Sequence, residues 1–236
     1  MKTFLIFIVV IFFLSGCDQI IPVVGNGNII KQDRAASGFT KVEVSGSFQV
    51  LLIQGETESL TIETDENLFE HINSVVKNGE LTISTRKNLH SAKPVKIIIS
   101  FKNLDEIELS GAIKLTGKDT LRFDKFEIDG SGSSKINMDL YCRTMIAEFS
   151  GSSEMELRGE SLQSDFKISG SGVINTLEFG TDIINVDISG SGRAQVKANK
   201  KLNVQISGSG RIEYTGNPQI KQEISGSGSV NHIEVP

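Results

Sequence analysis

Between Phe39 and Phe101 apolar and polar residues alternate in short runs, FTKVEV, SFQVLLI, SLTIET, ELTIST and VKIIISF. β-Branched residues at every second or third place predict strands with one buried face. The segment DENLFEHINSV at 65–75 breaks the alternation, with Leu68, Ile72 and Val75 spaced by four and three. That spacing predicts one short amphipathic helix capped by Asp65 or Asn67. Lys77-Asn78-Gly79 reads as a tight hairpin turn.

From Leu104 onward one phrase recurs: a polar residue, an apolar residue, then Ser-Gly-Ser-Gly or a close variant. An earlier copy, EVSGS, stands at 43–47. Aligned on the motif, the copies begin at 110, 129, 150, 169, 189, 207 and 225. The residue before the motif is Leu109, Ile128, Phe149, Ile168, Ile188, Ile206 or Ile224, and the one two places earlier is apolar in every copy except at Gln222. Between them lie Glu108, Glu127, Glu148, Lys167, Asp187, Gln205 and Glu223, polar throughout. This inward-outward-inward order resumes after the glycines at Met155 and Leu157, or Ala194 and Val196. Each repeat is thus two short strands joined at a corner. The corner glycines are Gly111, Gly130, Gly151, Gly170, Gly190, Gly208 and Gly226, placed where φ must be positive or a Cβ would clash. A coil of about 19 residues cannot bury its own inner face, so coils must stack. The expected fold is all-β: a right-handed parallel β-helix of the pectate-lyase type, behind an N-terminal β-rich cap containing one short helix. A propeller is disfavoured, since its blades take about 40 residues.

The opening MKTFLIFIVVIFFLSGC has a lysine, an apolar run from Phe4 to Leu14, and small residues before Cys17. The run is too short to span a bilayer, which takes about 20 residues, and reads as a secretory leader. Leu14-Ser15-Gly16-Cys17 resembles a bacterial lipobox, making residues 1–16 a signal peptide, Cys17 the lipidated first mature residue, and 17–28 a tether. Residues 29–236 then form one domain, 29–103 being its N-terminal part and 104–236 its repeats. The partner this implies is a membrane, reached through the lipid, in the cell envelope.

The net charge is −5, and loss of the leader removes one more lysine. An acidic body argues against nucleic acid as a partner. An acylated Cys17 leaves Cys142 without a disulfide partner, so the domain must hold together by its core. Cys142, in DLYCRT, reads as a core residue of a strand.

Two surface constellations offer chemistry. The outward acids Glu108, Glu127, Glu148 and Asp187 belong to a column with one residue per coil, broken by Lys167 and Gln205, too sparse for the six or more oxygens of a Ca²⁺ site. Arg193 and Arg211 hold equivalent places after successive corners, where a side-by-side pair suits an anionic glycan. His71, His90 and His232 are scattered without metal-ligand spacing. None of the Gly-x-Gly pairs continues into a dinucleotide or phosphate loop, and no Gly-x-Ser-x-Gly elbow occurs. No catalytic residue, metal or cofactor is implied.

The stretches GNGNIIKQDRAASGFTKVEVSGSFQVLLIQG, ENLFEHINSVVKNGELTIS and FKNLDEIELSGAIKLTG, taken in order, resemble the head GIN domain family, known as auto-transporter adhesins and common among Bacteroidetes. The resemblance spans about residues 26–233 and implies a β-helical fold, an exported location and no established catalytic residues. The function expected is a non-catalytic, lipid-anchored envelope protein presenting a repetitive surface to a glycan or protein ligand. A carbohydrate-active enzyme of the β-helix type and a structural or assembly component of the envelope are the alternatives.

Overall fold

Stacking decides the architecture, because each coil buries its apolar side only against the coils above and below it. The computed structural model describes residues 22–234. Its N-terminal part contains β1 (Val23–Val24), β2 (Ile29–Arg34), β3 (Lys41–Gln54), β4 (Ser59–Asp65), β5 (Ile72–Lys77), β6 (Glu80–Thr85), β7 (Leu89–His90) and β8 (Lys96–Phe101). The repeats supply β9 (Glu106–Gly132), β10 (Lys135–Gly151), β11 (Glu154–Gly170), β12 (Val173–Gly190), β13 (Arg193–Gly208), β14 (Arg211–Thr215), β15 (Gln219–Gly226) and β16 (Ser229–His232). The result is a β-solenoid of about 6 turns with coils of about 19 residues.

Pairing is parallel from β3 through the last coil. β10 and β11 stay in register from Lys135↔Glu154 to Gly151↔Gly170, through both runs of the coil. At the N-terminal end the order continues β3-β8-β4-β2, and β4 runs antiparallel to both its neighbours. One apolar core from Ala36 to Ile212 fills the interior. Among the described residues its members begin at Ala36, so the described body carries a core of its own.

The corner works through its first glycine. Gly170 has φ +125°, and a Cβ there would lie 2.7 Å from the carbonyl oxygen of Gly151 one coil earlier. The ladder also runs through the corner, Ser171 N–H donating to Gly151 O at 2.9 Å and Val173 N–H to Ser153 O at 2.8 Å. The Ser171 and Val173 amides are thus satisfied by the coil before where the chain turns.

One corner differs from the sequence reading. Asp129 pairs with Glu148, Gly130 with Phe149 and Gly132 with Gly151, so Gly132, at φ +102°, is the corner glycine and Gly130 is not. Gly130 instead sits in the inward column, where a Cβ would come 2.5 Å from the Phe149 ring. The large ring of one coil occupies the space left by the missing side chain of the coil before. The phrase EIDGSG imitates the motif two residues early, and Glu127 is thereby moved out of the column assigned to it.

The helix is shorter than its periodicity predicts. Glu66–His71 form a 3₁₀ turn, and Ile72 and Val75 belong to β5. The Asp65 side chain makes no cap bond. Its buried carboxylate accepts the Gly27 N–H at 2.6 Å and the Ser91 hydroxyl. The expected tether is therefore docked at its C-terminal end, where β1 also pairs with β7. Asn78 and Gly79, at φ 53° and 80°, form the expected two-residue hairpin between β5 and β6.

Candidate functional site

Parallel stacking turns each outward position into a column. The corrected column descends through Glu43, Glu108, Asp129 and Glu148, then through Lys167, Asp187, Gln205 and Glu223. Two positions earlier a second column carries Glu106 and Glu127, then the apolar Ile146, then Asp165, Asn185, Asn203 and Lys221. Two shallow depressions flank the first column. One of about 480 Å³ lies between its stretch from Glu148 to Glu223 and the second column from Asp165 to Lys221. One of about 450 Å³ lies between its stretch from Glu43 to Lys167 and the corner serines Ser110, Ser131, Ser150 and Ser169. Glu148 and Lys167 line both depressions and stand between them, so the two adjoin as an offset groove along one polar face.

Its two halves differ in chemistry. In the upper half, carboxylate oxygens of Glu106, Glu108 and Asp129 lie within 4.8 Å of one another. Burial, followed by the hydrogen bond that protonated Glu108 donates to Glu106 and the charges of Glu106, Asp129 and Glu43, raises the pKa of Glu108. Burial and the charges of Glu127, Glu148 and Glu106 do the same for Asp129. Cations answer at the edges: Lys41 holds Glu106, Lys125 holds Glu127 at 2.7 Å, and Lys167 holds Glu148 at 3.2 Å. The lower half is an amide ladder. Asn203 Nδ2 donates to Asn185 Oδ1 at 2.7 Å, and Asn185 Nδ2 to Asp165. These bonds fix the amides and leave a row of oriented donors and acceptors one coil apart, about 4.8 Å.

The sequence reading places Glu108, Glu148 and Asp187 correctly on this face and omits Asp129, through the register error at one corner. It also passes over the amide column, although Asp165, Asn185 and Asn203 recur two places before a polar position already aligned.

Residues 38–218 match the family described as putative auto-transporter adhesin, head GIN domain. The chain belongs to the head GIN domain family. Solved structures similar to this head GIN domain include a putative adhesin from Bacteroides fragilis, 21% identical at a TM-score of 0.85, covering 89% of this chain and 100% of that one. A putative lipid binding protein from Parabacteroides distasonis is 24% identical at a TM-score of 0.69, covering 91% of this chain and 100% of that one. A putative adhesin from the same species is 20% identical at 0.72, covering 90% and 100%. At these identities the likeness is one of fold. Among curated proteins none matches the chain. The family and its adhesin relatives are named for adhesion rather than for a reaction, and an adhesin family belongs to the cell envelope or surface.

The other expected residues of this head GIN domain lie apart from the groove. Arg193 and Arg211 pair directly in adjacent coils and border a depression of about 180 Å³ with Gln195 and Glu213. They stand on the far side of the glycine corner from the acids. Cys142 is buried, and burial pushes its thiol up to about 12, which suits a core residue and not a nucleophile. Gly111, Gly151, Gly190, Gly208 and Gly226 all hold positive φ at corners. Cys17 lies outside the described residues.

Proposed function

We propose that this head GIN domain is a non-catalytic, lipid-anchored envelope protein whose long polar groove binds a repetitive ligand, a glycan chain before a protein. The observation that carries the proposal is the stacking of polar side chains into a column flanked by two adjoining depressions, with oriented amides recurring at the coil spacing beside it. Carboxylates and amides together offer both acceptors and donors to hydroxyl groups. A linear polymer can therefore meet a polar partner at each step of the first column, and many weak contacts sum into useful affinity. Anchoring at Cys17 rests on the lipobox pattern alone.

The test is a glycan array probed with residues 22–236, with mass spectrometry of each bound glycan. The expected result is an intact bound glycan whose binding falls in Glu148→Ala and Asp187→Ala. Silence across the array would return the groove to a structural role.

A second reading, a carbohydrate-active enzyme, draws on Glu108 and Asp129. Each has a raised pKa beside further carboxylates, and a protonated acid near an ionised one is the pair that glycoside hydrolysis uses. A cleaved glycan in the same assay would select it, and Glu108→Gln would then abolish cleavage while preserving binding.

A further inference from the structure

The last coil leaves its stacking edge open. β15 pairs with β13 and β16 with β14, and among the described residues no strand lies against their other edges. Ile220 and Ile224 follow Leu202 and Ile206 in register. Those two are buried, whereas Ile220 and Ile224 are 43% and 41% exposed. Between them Gln222 occupies an inward column filled by Phe166, Val186 and Val204 in the preceding coils. An unpaired edge carrying apolar residues is a template for another strand.

We propose that a second copy of this chain covers this edge, with β15 antiparallel to the partner's β15 about a two-fold axis through Gln222. The segment Ile220-Lys221-Gln222-Glu223-Ile224 is its own complement when read in reverse. In that register Ile220 faces the partner's Ile224, Lys221 faces the partner's Glu223, and Gln222 meets its own copy on the axis. Antiparallel pairing about an axis normal to the sheet keeps inward residues inward, so the isoleucines extend the apolar interior across the seam. The two Gln222 amides can then bond to each other, which accounts for a polar residue in an apolar column.

Charge fixes the register. Lys221 and Glu223 already pair at 3.5 Å within one copy, and the dimer surrounds each with the opposite sign. A slip of one residue turns the isoleucines to the wrong face. A slip of two sets Lys221 against the partner's Lys221, or Glu223 against the partner's Glu223. The groove itself reaches Lys221 and Glu223, so the seam would join two grooves end to end and leave the two β2 strands at the far ends of the pair.

Sedimentation equilibrium of residues 22–236 tests this with charge reversal. The native chain is expected to form a concentration-dependent dimer. Lys221→Glu and Glu223→Lys should each weaken it by about tenfold or more, and the double reversal K221E/E223K should restore it. Both side chains are exposed, so the folded monomer tolerates all three variants, which circular dichroism verifies. A native chain monomeric up to about 1 mM, a dimer indifferent to the single reversals, or a double variant that stays weak would each overturn the pairing.

Discussion

The N-terminal part and the repeats solve the same problem with different means. Residues 29–103 close their core with a 3₁₀ turn, a two-residue hairpin and antiparallel strands over the first coil, devices that the described repeats do not use. The repeats reuse one corner, and its demands fall on the same position each time. The cap is therefore stabilised by singular contacts such as Asp65, and the solenoid by a column of glycines. Repetition also aligns surface chemistry into lines, which the cap cannot do, and the groove is floored mainly by the repeats.

The largest effect should come from breaking the shared corner. Gly170→Val sets a branched side chain at φ +125° and against the Gly151 carbonyl oxygen. A loss of about 3 kcal/mol or more is expected in urea unfolding. The register at 130–132 admits a finer test. Gly132→Ala strikes the Gly111 carbonyl oxygen at 2.7 Å, a backbone atom that no side-chain change can move. Gly130→Ala strikes only the Phe149 ring, so adding Phe149→Leu should recover part of the loss there and none at Gly132. Equal rescue at both sites would restore the alignment read from sequence.

In the cap, Asp65→Ala leaves the Gly27 N–H and the Ser91 hydroxyl without their acceptor, at a cost of about 2 kcal/mol. The Ser91 and Gly27 hydrogen bonds hold the Asp65 pKa below its ordinary 3.8 against the opposing effect of burial. Its contribution is thus present above that ordinary value and is lost as pH falls through the lower folded value. Urea melts between neutral pH and pH 2 should show the native chain losing this advantage over Asp65→Ala in acid. A gap that stays constant would mean the carboxylate is not the stabilising species.

Most of the repeat was legible because its period exposes which positions are buried. Ile168, Ile188 and Ile206 are read inward from sequence and are buried, and Arg193 and Arg211 are read as neighbours and pair. Legibility failed where two patterns compete. EIDGSG satisfies the motif at Gly130, yet the large Phe149 in the next coil needs that glycine for room, a contact between coils that one repeat cannot reveal. In the cap, Leu68, Ile72 and Val75 satisfy a helical period, but Ile72 is also the first residue of a strand that pairs with β6. Long-range pairing there overrides a local period. The acidic cluster was half legible for the same reason, since Asp129 joins Glu106 and Glu108 only in the corrected register.

That cluster supplies an acid response opposite to the cap's. Burial and neighbouring carboxylates raise the pKa values of Glu108 and Asp129. A carboxyl whose folded pKa is raised favours folding below its ordinary value and gives up that contribution as pH rises through the folded value. At neutral pH, Asp129→Asn should therefore stabilise the chain slightly, by about 0.5 kcal/mol because the groove is open to solvent. The gain should vanish as pH falls through the raised folded value, where the native carboxyl is itself protonated. Added salt should shrink it at neutral pH by screening the repulsion. If Asp129→Asn instead destabilises at neutral pH, Asp129 is engaged in an attractive contact that outweighs its acidic neighbours. The groove's upper half would then be a braced structural seam, and only the amide ladder would remain as its binding half.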